Sequence, residues 1–269
     1  MRIVLLFLIS LLPVFSFAID PVKEYIEHPG DFNFKYEENK LKTADGYRLN
    51  SWLCFPSAKD SNNTVLVVAY GDTGNMSYLL RQVDVLVKNG FTILLFDYRG
   101  FGQSQEFELN EKQLYYDEFT VDLESALEFA SNRFKGFKIG LWTLSMGSIM
   151  GTMTASSGLF DFMVSEGFVV DPNVIVEKLE THMGKVYVLP KSAAIYAQEL
   201  SKLKLPTLLF AGDRDGLTTI EESQRVTFLN AKNELVVFKG GHLQGFQALS
   251  GSYHGEKYVK AILDFTKTL

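Results

Sequence analysis

Short apolar runs separated by polar, helix-compatible stretches dominate the pattern along the chain. Four of the runs are nearly continuous and are bounded by Gly, Asp or Pro, which is typical of buried parallel strands. They span residues 65–69, 91–96, 137–142 and 206–210. Upstream, residues 32–36 and 47–55 mix apolar and polar positions around the turn Ala44-Asp45-Gly46. This arrangement predicts an antiparallel hairpin at a sheet edge.

The stretches between the apolar runs predict helices at 78–88, 111–134, 145–155, 219–228 and 253–267. In the second helix we place Asp122, Glu124 and Glu128 on the outer face. Strands that alternate with helices of this length specify an α/β fold, a doubly wound and mostly parallel sheet preceded here by the antiparallel hairpin. Ligands bind such sheets at the carboxyl ends of the strands.

Residues 171–205 could form a small cap or merely a connecting helix pair.

The first 18 residues have the pattern of a secretory signal peptide. Arg2 is followed by an apolar run and then by the small residues Ser16 and Ala18, which predicts cleavage after Ala18 and one mature domain over 19–269. The competing interpretation is an uncleaved membrane anchor. Cys54 is the single cysteine, so an exported chain would carry no internal disulfide. We therefore expect a periplasmic or secreted protein.

Composition limits the classes of partner. The 269 residues are 46% hydrophobic and 22% charged, as in a globular chain with one large α/β domain. The net charge is -6, and no basic stripe with interleaved aromatic residues is visible. These features argue against nucleic acid as a partner.

Ser145 is the first candidate for chemistry, because an apolar strand pattern ends at it and a small-residue helix pattern begins directly after it. Such a strand-to-helix turn strains the backbone and exposes the serine hydroxyl at the sheet edge. Gly147 provides the small residue that the turn needs on the helix side, whereas Thr143 stands where G-x-S-x-G has glycine. An ordinary helix N-cap serine is the competing interpretation.

Further candidates follow other predicted strands. Asp213 and Asp215 end the run at 206–210, and His242 lies in a glycine-rich stretch after residues 235–238. A serine hydroxyl becomes nucleophilic only when a base accepts its proton and an acid orients that base. The chain order of serine, acid and histidine, each at the carboxyl side of a strand, predicts one catalytic triad. Residues 70–75 form a glycine-containing turn whose N–H groups could stabilise an oxyanion.

These motifs resemble those of the α/β-hydrolase superfamily, in particular small dienelactone-hydrolase-like and prolyl-oligopeptidase-like esterases. The resemblance rests on Tyr70-Gly71-Asp72-Thr73-Gly74-Asn75, Asp97-Tyr98-Arg99-Gly100-Phe101-Gly102-Gln103-Ser104, Thr143-Leu144-Ser145-Met146-Gly147, Gly212-Asp213-Arg214-Asp215 and Gly240-Gly241-His242. It implies that Ser145 is the nucleophile, His242 the general base and Asp215 the orienting acid. It also implies that the backbone N–H groups of Asp72 and Met146 form the oxyanion hole, with Asp171 as an outside candidate for the acid.

The resemblance implies a serine hydrolase that cleaves an ester, thioester or amide of an acylated small molecule, with no metal or organic cofactor, and the signal-peptide pattern adds that it is exported. Three departures from the family pattern stand out: Tyr70 replaces a histidine, Asp72 places a carboxylate beside an oxyanion donor, and Thr143 adds bulk to the turn. The altered turn at Thr143 and the carboxylate of Asp72 support the alternative hypothesis of a non-catalytic protein that binds a ligand or partner in the same crevice.

Overall fold

A computed structural model of the chain describes residues 18–184 and 186–269. The predicted signal peptide therefore lies outside the described residues, apart from Ala18. Within the described residues, no helix combines the length and the apolar character that crossing a membrane requires.

A mixed sheet of eight strands forms the centre of the fold, in the order β10-β9-β8-β7-β4-β6-β3-β2. All neighbours are parallel except the pairs β2–β3 and β3–β6. A separate two-stranded parallel pair joins β1 to β5. The strands are β1 (Asp20–Pro21), β2 (Lys35–Lys42), β3 (Arg48–Phe55), β4 (Thr64–Ala69), β5 (Thr73–Gly74), β6 (Thr92–Phe96), β7 (Lys138–Leu144), β8 (Phe162–Glu166), β9 (Thr207–Gly212) and β10 (Glu234–Phe238).

Helices cover both faces of the sheet, which explains why its inner strands are apolar throughout. The helices α2, α3 and α5 pack together as one layer, and α1 packs against α8 as another. The α-helices are α1 (Leu80–Lys88), α2 (Asp117–Arg133), α3 (Gly147–Thr154), α4 (Pro172–Met183), α5 (Tyr196–Lys202), α6 (Ile220–Thr227), α7 (Gly245–Ala248) and α8 (Glu256–Lys267). Shorter 3-10 helices span Pro29–Asp31, Met76–Leu79, Ala155–Ser157 and Lys191–Ile195.

The structure confirms the predicted fold class: a mostly parallel, doubly wound sheet with an antiparallel hairpin at its N-terminal edge. The first strand of that hairpin was predicted too early, at 32–36, whereas β2 spans Lys35–Lys42. β2 is an edge strand with polar residues along most of its length, so its hydrophobic pattern is weak.

Two details of the second predicted helix were wrong. Helix α2 begins at Asp117 rather than near 111, because the preceding backbone bonds elsewhere: Leu114 N–H donates to the Val188 carbonyl at 3.0 Å. Asp122 is not on the outer face but fully buried. Its carboxylate accepts the backbone N–H of Arg99 at 2.8 Å and the Arg99 Nε–H at 2.9 Å. A buried cation supplies the partner that a carboxylate needs away from water.

Two helices lie between β8 and β9, within the segment 171–205. Asp171 caps α4, because its side chain accepts the backbone N–H of Asn173 at 2.9 Å. Pro172 occupies the first helical position, where its missing N–H costs nothing. From there α4 directs Ile175 and Leu179 toward the carboxyl edge of the sheet.

Candidate active site

Ser145 occupies a strained turn between β7 and α3. Its φ of 49° lies in the left-handed region that residues with a side chain rarely adopt. The backbone N–H of Ser145 donates to the Glu166 carbonyl on the neighbouring strand at 3.0 Å. Gly147 permits the close approach of the helix, since a Cβ there would lie 1.9 Å from the Ala69 carbonyl oxygen. The sharp turn predicted from the sequence is therefore present.

Thr143, which departs from G-x-S-x-G, is accommodated by contacts with Ser165 and Gly151. Its own hydroxyl donates to Ser165 Oγ at 2.7 Å. Its methyl group faces Gly151, where a Cβ would lie 3.0 Å from Thr143 Cγ2. The absence of a side chain at Gly151 thus makes room for the extra bulk.

His242 joins the serine to an acid. Its Nε2 lies 2.9 Å from Ser145 Oγ, and its Nδ1 lies 2.8 Å from Asp215 Oδ2. The Asp215 carboxylate also accepts the backbone N–H of Leu217 at 2.9 Å, and from Thr218 both the backbone N–H at 3.0 Å and the hydroxyl at 2.7 Å. The structure therefore brings all three predicted triad residues into one hydrogen-bonded chain.

The electrostatics of Asp215 fit an ionised acid. Burial alone would raise its pKa, but the hydrogen bond and charge of His242, together with the two donors of Thr218, outweigh burial. The net result is a pKa below the ordinary value for aspartate. An ionised carboxylate can fix the imidazole and stabilise its protonated form.

The two other candidates for the acid make hydrogen bonds to backbone groups instead. Asp213 accepts the backbone N–H of Gly240 at 3.0 Å, and Asp171 serves as the cap of α4. Among the hydrogen bonds of the described residues, Asp215 supplies the carboxylate that reaches His242.

The turn at residues 70–75 lies beside the nucleophile, since a Cβ on Gly71 would be 3.8 Å from Ser145 Cβ. Asp97 holds this turn at both ends. It accepts the Tyr70 hydroxyl at 3.2 Å and the Met76 N–H at 2.8 Å. Tyr70, the replacement for the family's histidine, is thus anchored in the core, which agrees with a structural role for Asp97.

Asp72 keeps its carboxylate close to the site. Burial raises the pKa of Asp72, while its own backbone N–H and the charge of His242 act in the opposite direction. That N–H, which the resemblance assigns to the oxyanion hole, therefore faces a carboxylate of its own residue. A negative charge here would oppose an oxyanion, whereas a proton on the carboxyl would remove the opposition.

A cavity of about 170 Å³ opens beside Ser145 and His242. Apart from Ser145, His242 and Asp72, its walls are apolar. The apolar walls are Ala18, Leu114, Met146, Ile149, Val169, Ile175, Leu179 and Leu217. Such a lining favours a short, uncharged hydrocarbon group.

Comparison with known proteins relates the chain to hydrolases. Residues 60–159 match the family model described as serine aminopeptidase S33, a hydrolase family. The uncharacterized protein YfhR of Escherichia coli K12 is 24% identical over 239 residues, covering 85% of this chain and 80% of YfhR. The α/β hydrolase domain-containing protein WAV2 of Arabidopsis thaliana is 24% identical over 136 residues, covering 49% of this chain and 41% of WAV2.

Solved structures show the same fold over nearly the whole chain. The esterase Pf2001 of Pyrococcus furiosus superposes with a TM-score of 0.73 at 18% identity, covering 93% of this chain and 97% of the esterase. The chain has the α/β-hydrolase fold. The esterase EaEST of Exiguobacterium antarcticum gives a TM-score of 0.62 at 16% identity, covering 86% of this chain and 100% of EaEST.

Two residues of this site were not found from the sequence. Thr218 donates to Asp215 and lies 3.3 Å from His242 Nδ1. Glu166 ends β8 with a buried carboxylate directed at the loop that carries His242. A glutamate that closes an otherwise apolar strand, Phe162-Met163-Val164-Ser165-Glu166, was the signal that could have identified the second of them.

The described part of the chain contains no group of three or more His, Cys, Asp or Glu side chains arranged to hold a metal ion. The polar side chains that line the cavity are those of Ser145, His242 and Asp72.

Proposed function

We propose that this protein is a serine hydrolase that cleaves a carboxylic ester, thioester or amide through an acyl-Ser145 intermediate. The observation that carries the proposal is the continuous contact from Ser145 Oγ through His242 to Asp215, at 2.9 and 2.8 Å. Those distances are within the reach that a nucleophile, a base and an orienting acid need. The esterases that share the fold support an ester substrate.

In the first half-reaction His242 Nε2 accepts the hydroxyl proton as Ser145 Oγ attacks the substrate carbonyl carbon. Asp215 holds the Nδ1–H and stabilises the positive charge that forms on the ring. The backbone N–H groups of Met146 and Asp72 would face the developing oxyanion, where one such donor contributes on the order of 3 kcal/mol. His242 then returns the proton to the leaving group, and water repeats the sequence to release the acid.

A fluorophosphonate probe tests the proposal directly, because it reacts with an activated serine and leaves an ordinary hydroxyl untouched. We expect labelling of the folded protein, complete loss in Ser145→Ala, and full retention in Ser156→Ala, an exposed serine just beyond α3. A folded protein that takes up no label would instead support a non-catalytic, ligand-binding member of the superfamily.

We also propose that the protein is exported, on the strength of the charged start, apolar run and small residues that precede Ile19. N-terminal sequencing of the protein recovered from the periplasm or medium should begin at Ile19. Recovery only with the membrane fraction and with an intact Met1 would support an uncleaved anchor instead.

A further inference from the structure

Glu166, at the end of β8, contacts both the turn that carries Ser145 and the loop that carries His242. Strands β7 and β8 are paired so that Leu144 lies opposite Glu166. The Glu166 carbonyl consequently accepts the N–H of Ser145 at 3.0 Å, which holds the nucleophile in its strained turn.

The side chain of the same residue holds the histidine loop. Glu166 Oε1 accepts the backbone N–H of Gly245 at 2.6 Å, three residues after His242. A Cβ at Gly245 would lie 2.8 Å from the Glu166 carboxyl group, so only glycine allows this approach. The loop between His242 and α7 is thus anchored to the strand that also positions Ser145.

A buried aromatic cluster fixes the carboxylate. The Tyr258 hydroxyl lies near the Glu166 carboxylate, where it helps to offset the rise that burial causes in the pKa of Glu166, and it accepts Trp142 Nε1–H at 3.2 Å. The Tyr258 ring stacks on Phe210 at 3.8 Å and on Phe246 at 4.3 Å, between ring centroids. A tyrosine held on both faces has little freedom, so the carboxylate that it contacts is held as well.

The charge of Glu166 acts on the same imidazole. The ionisable groups that face it are His242 and Asp215 from the loops after β10 and β9, and Tyr258 from α8. A second carboxylate near His242 favours the protonated ring that forms when Ser145 loses its proton. The residue is 3% exposed, so water screens this effect weakly.

We propose that Glu166 is a positioning residue that couples the nucleophile turn to the histidine loop and assists protonation of His242 in the transition state. This inference rests on the proposed function. It adds to the triad a second carboxylate, located behind the histidine loop, that does not contact the substrate.

The first experiment compares wild type with Glu166→Gln, whose amide oxygen can still accept the Gly245 N–H but carries no charge. Burial raises the pKa of Glu166 to about 7, so the wild-type residue is mostly neutral at pH 5.5 and mostly ionised at pH 8.5. On a p-nitrophenyl ester we expect the kcat ratio of wild type to variant to be below about threefold at pH 5.5 and above about tenfold at pH 8.5. KM should change little.

A ratio that stays constant across this range would overturn the electrostatic part of the proposal, because a purely structural defect lowers kcat at both pH values. Equal kcat values at pH 8.5 would overturn it as well. Thermal unfolding followed by circular dichroism confirms that the two proteins are compared in the folded state.

The second experiment tests the anchoring contact with a matched pair of loop variants. Gly245→Ala forces the carboxyl group away, whereas a Cβ at Gly241, one residue before His242, would meet no atom closer than 3.6 Å. We expect Gly245→Ala to lower kcat by at least about tenfold and Gly241→Ala to stay within about threefold of wild type. Similar losses in both variants would overturn the anchoring role.

Hydrogen exchange separates failure of this inference from failure of the proposed function. The Gly245 amide should exchange at least about tenfold faster in Glu166→Ala than in wild type, whether or not any ester is cleaved. Unchanged exchange would refute the contact. An unlabelled, inactive wild type with a protected Gly245 amide would refute the hydrolase activity, and with it the assistance to His242, while the anchoring contact itself would stand.

Discussion

His242 Nε2 lies 2.9 Å from Ser145 Oγ, although 97 positions separate the two residues along the chain. The contact exists because each residue follows a strand of the same parallel sheet, β10 for His242 and β7 for Ser145. Removing the imidazole ring of His242 should therefore abolish ester turnover without removing a helix or strand. His242→Ala is expected to lower kcat on p-nitrophenyl acetate by at least about 10³-fold while circular dichroism remains unchanged. Retained turnover in the folded variant would show that the base lies elsewhere.

Asp72 should restrain the hydrolysis of neutral esters, because its carboxylate lies beside the site of the developing oxyanion. Asp72→Asn removes that charge with almost no change in shape. We expect kcat on a neutral ester at pH 8 to rise by about tenfold, equivalent to about 1.4 kcal/mol of transition-state stabilisation. Asp20→Asn, at an exposed neighbouring carboxylate, is the matched control and should change kcat less than about twofold. A lower rate in Asp72→Asn would mean that the carboxyl group assists the reaction.

Burial of Glu166 should make stability depend on pH. Its pKa is raised from 4.5 to about 7, so between these values the unfolded chain has released the proton that the folded chain retains. The contribution of Glu166 to the free energy of unfolding is therefore fully present at low pH. It falls as pH rises toward and through 7, by up to about 3 kcal/mol. The free energy of unfolding in urea should fall less between pH 5 and pH 8 in Glu166→Gln than in wild type. Parallel curves for the two proteins would contradict this account.

Gly147→Ala should disrupt the nucleophile turn. A Cβ at this position would lie 1.9 Å from the Ala69 carbonyl oxygen, so β4 and α3 must move apart. We expect the variant to lose at least about 3 kcal/mol of stability in urea unfolding, or to be insoluble. Gly216→Ala is the control, since a Cβ there meets nothing within 4 Å. Equal stability of the two variants would contradict the packing argument.

The cavity predicts a preference for short acyl groups. Leu179 belongs to α4 and lines the cavity. Leu179→Trp should reduce kcat/KM for a p-nitrophenyl hexanoate by about tenfold, while the acetate is cleaved within about twofold of the wild-type rate. Equal losses on both esters would indicate that the acyl group binds elsewhere.

Much of this architecture was predictable because local patterns determine it. Apolar runs identified the inner strands β4, β6, β7 and β9, although not β8, and the order of serine, acid and histidine identified the residues that the sheet brings together. Other features depend on which segments become neighbours. Asp122 looked solvent-exposed in a helical pattern and is buried because Arg99 reaches it from another loop. Glu166 could be related to Ser145 and Gly245 only once β8 was known to lie beside β7.

One part of the cavity wall comes from a different segment of the chain than the predicted triad. Ile175 and Leu179 belong to a helix inserted between β8 and β9, whereas Ser145, Asp215 and His242 follow strands of the sheet. Evolution, or a protein engineer who grafts a foreign segment over 171–205, can therefore exchange this part of the wall while the strands that hold Ser145, Asp215 and His242 stay intact.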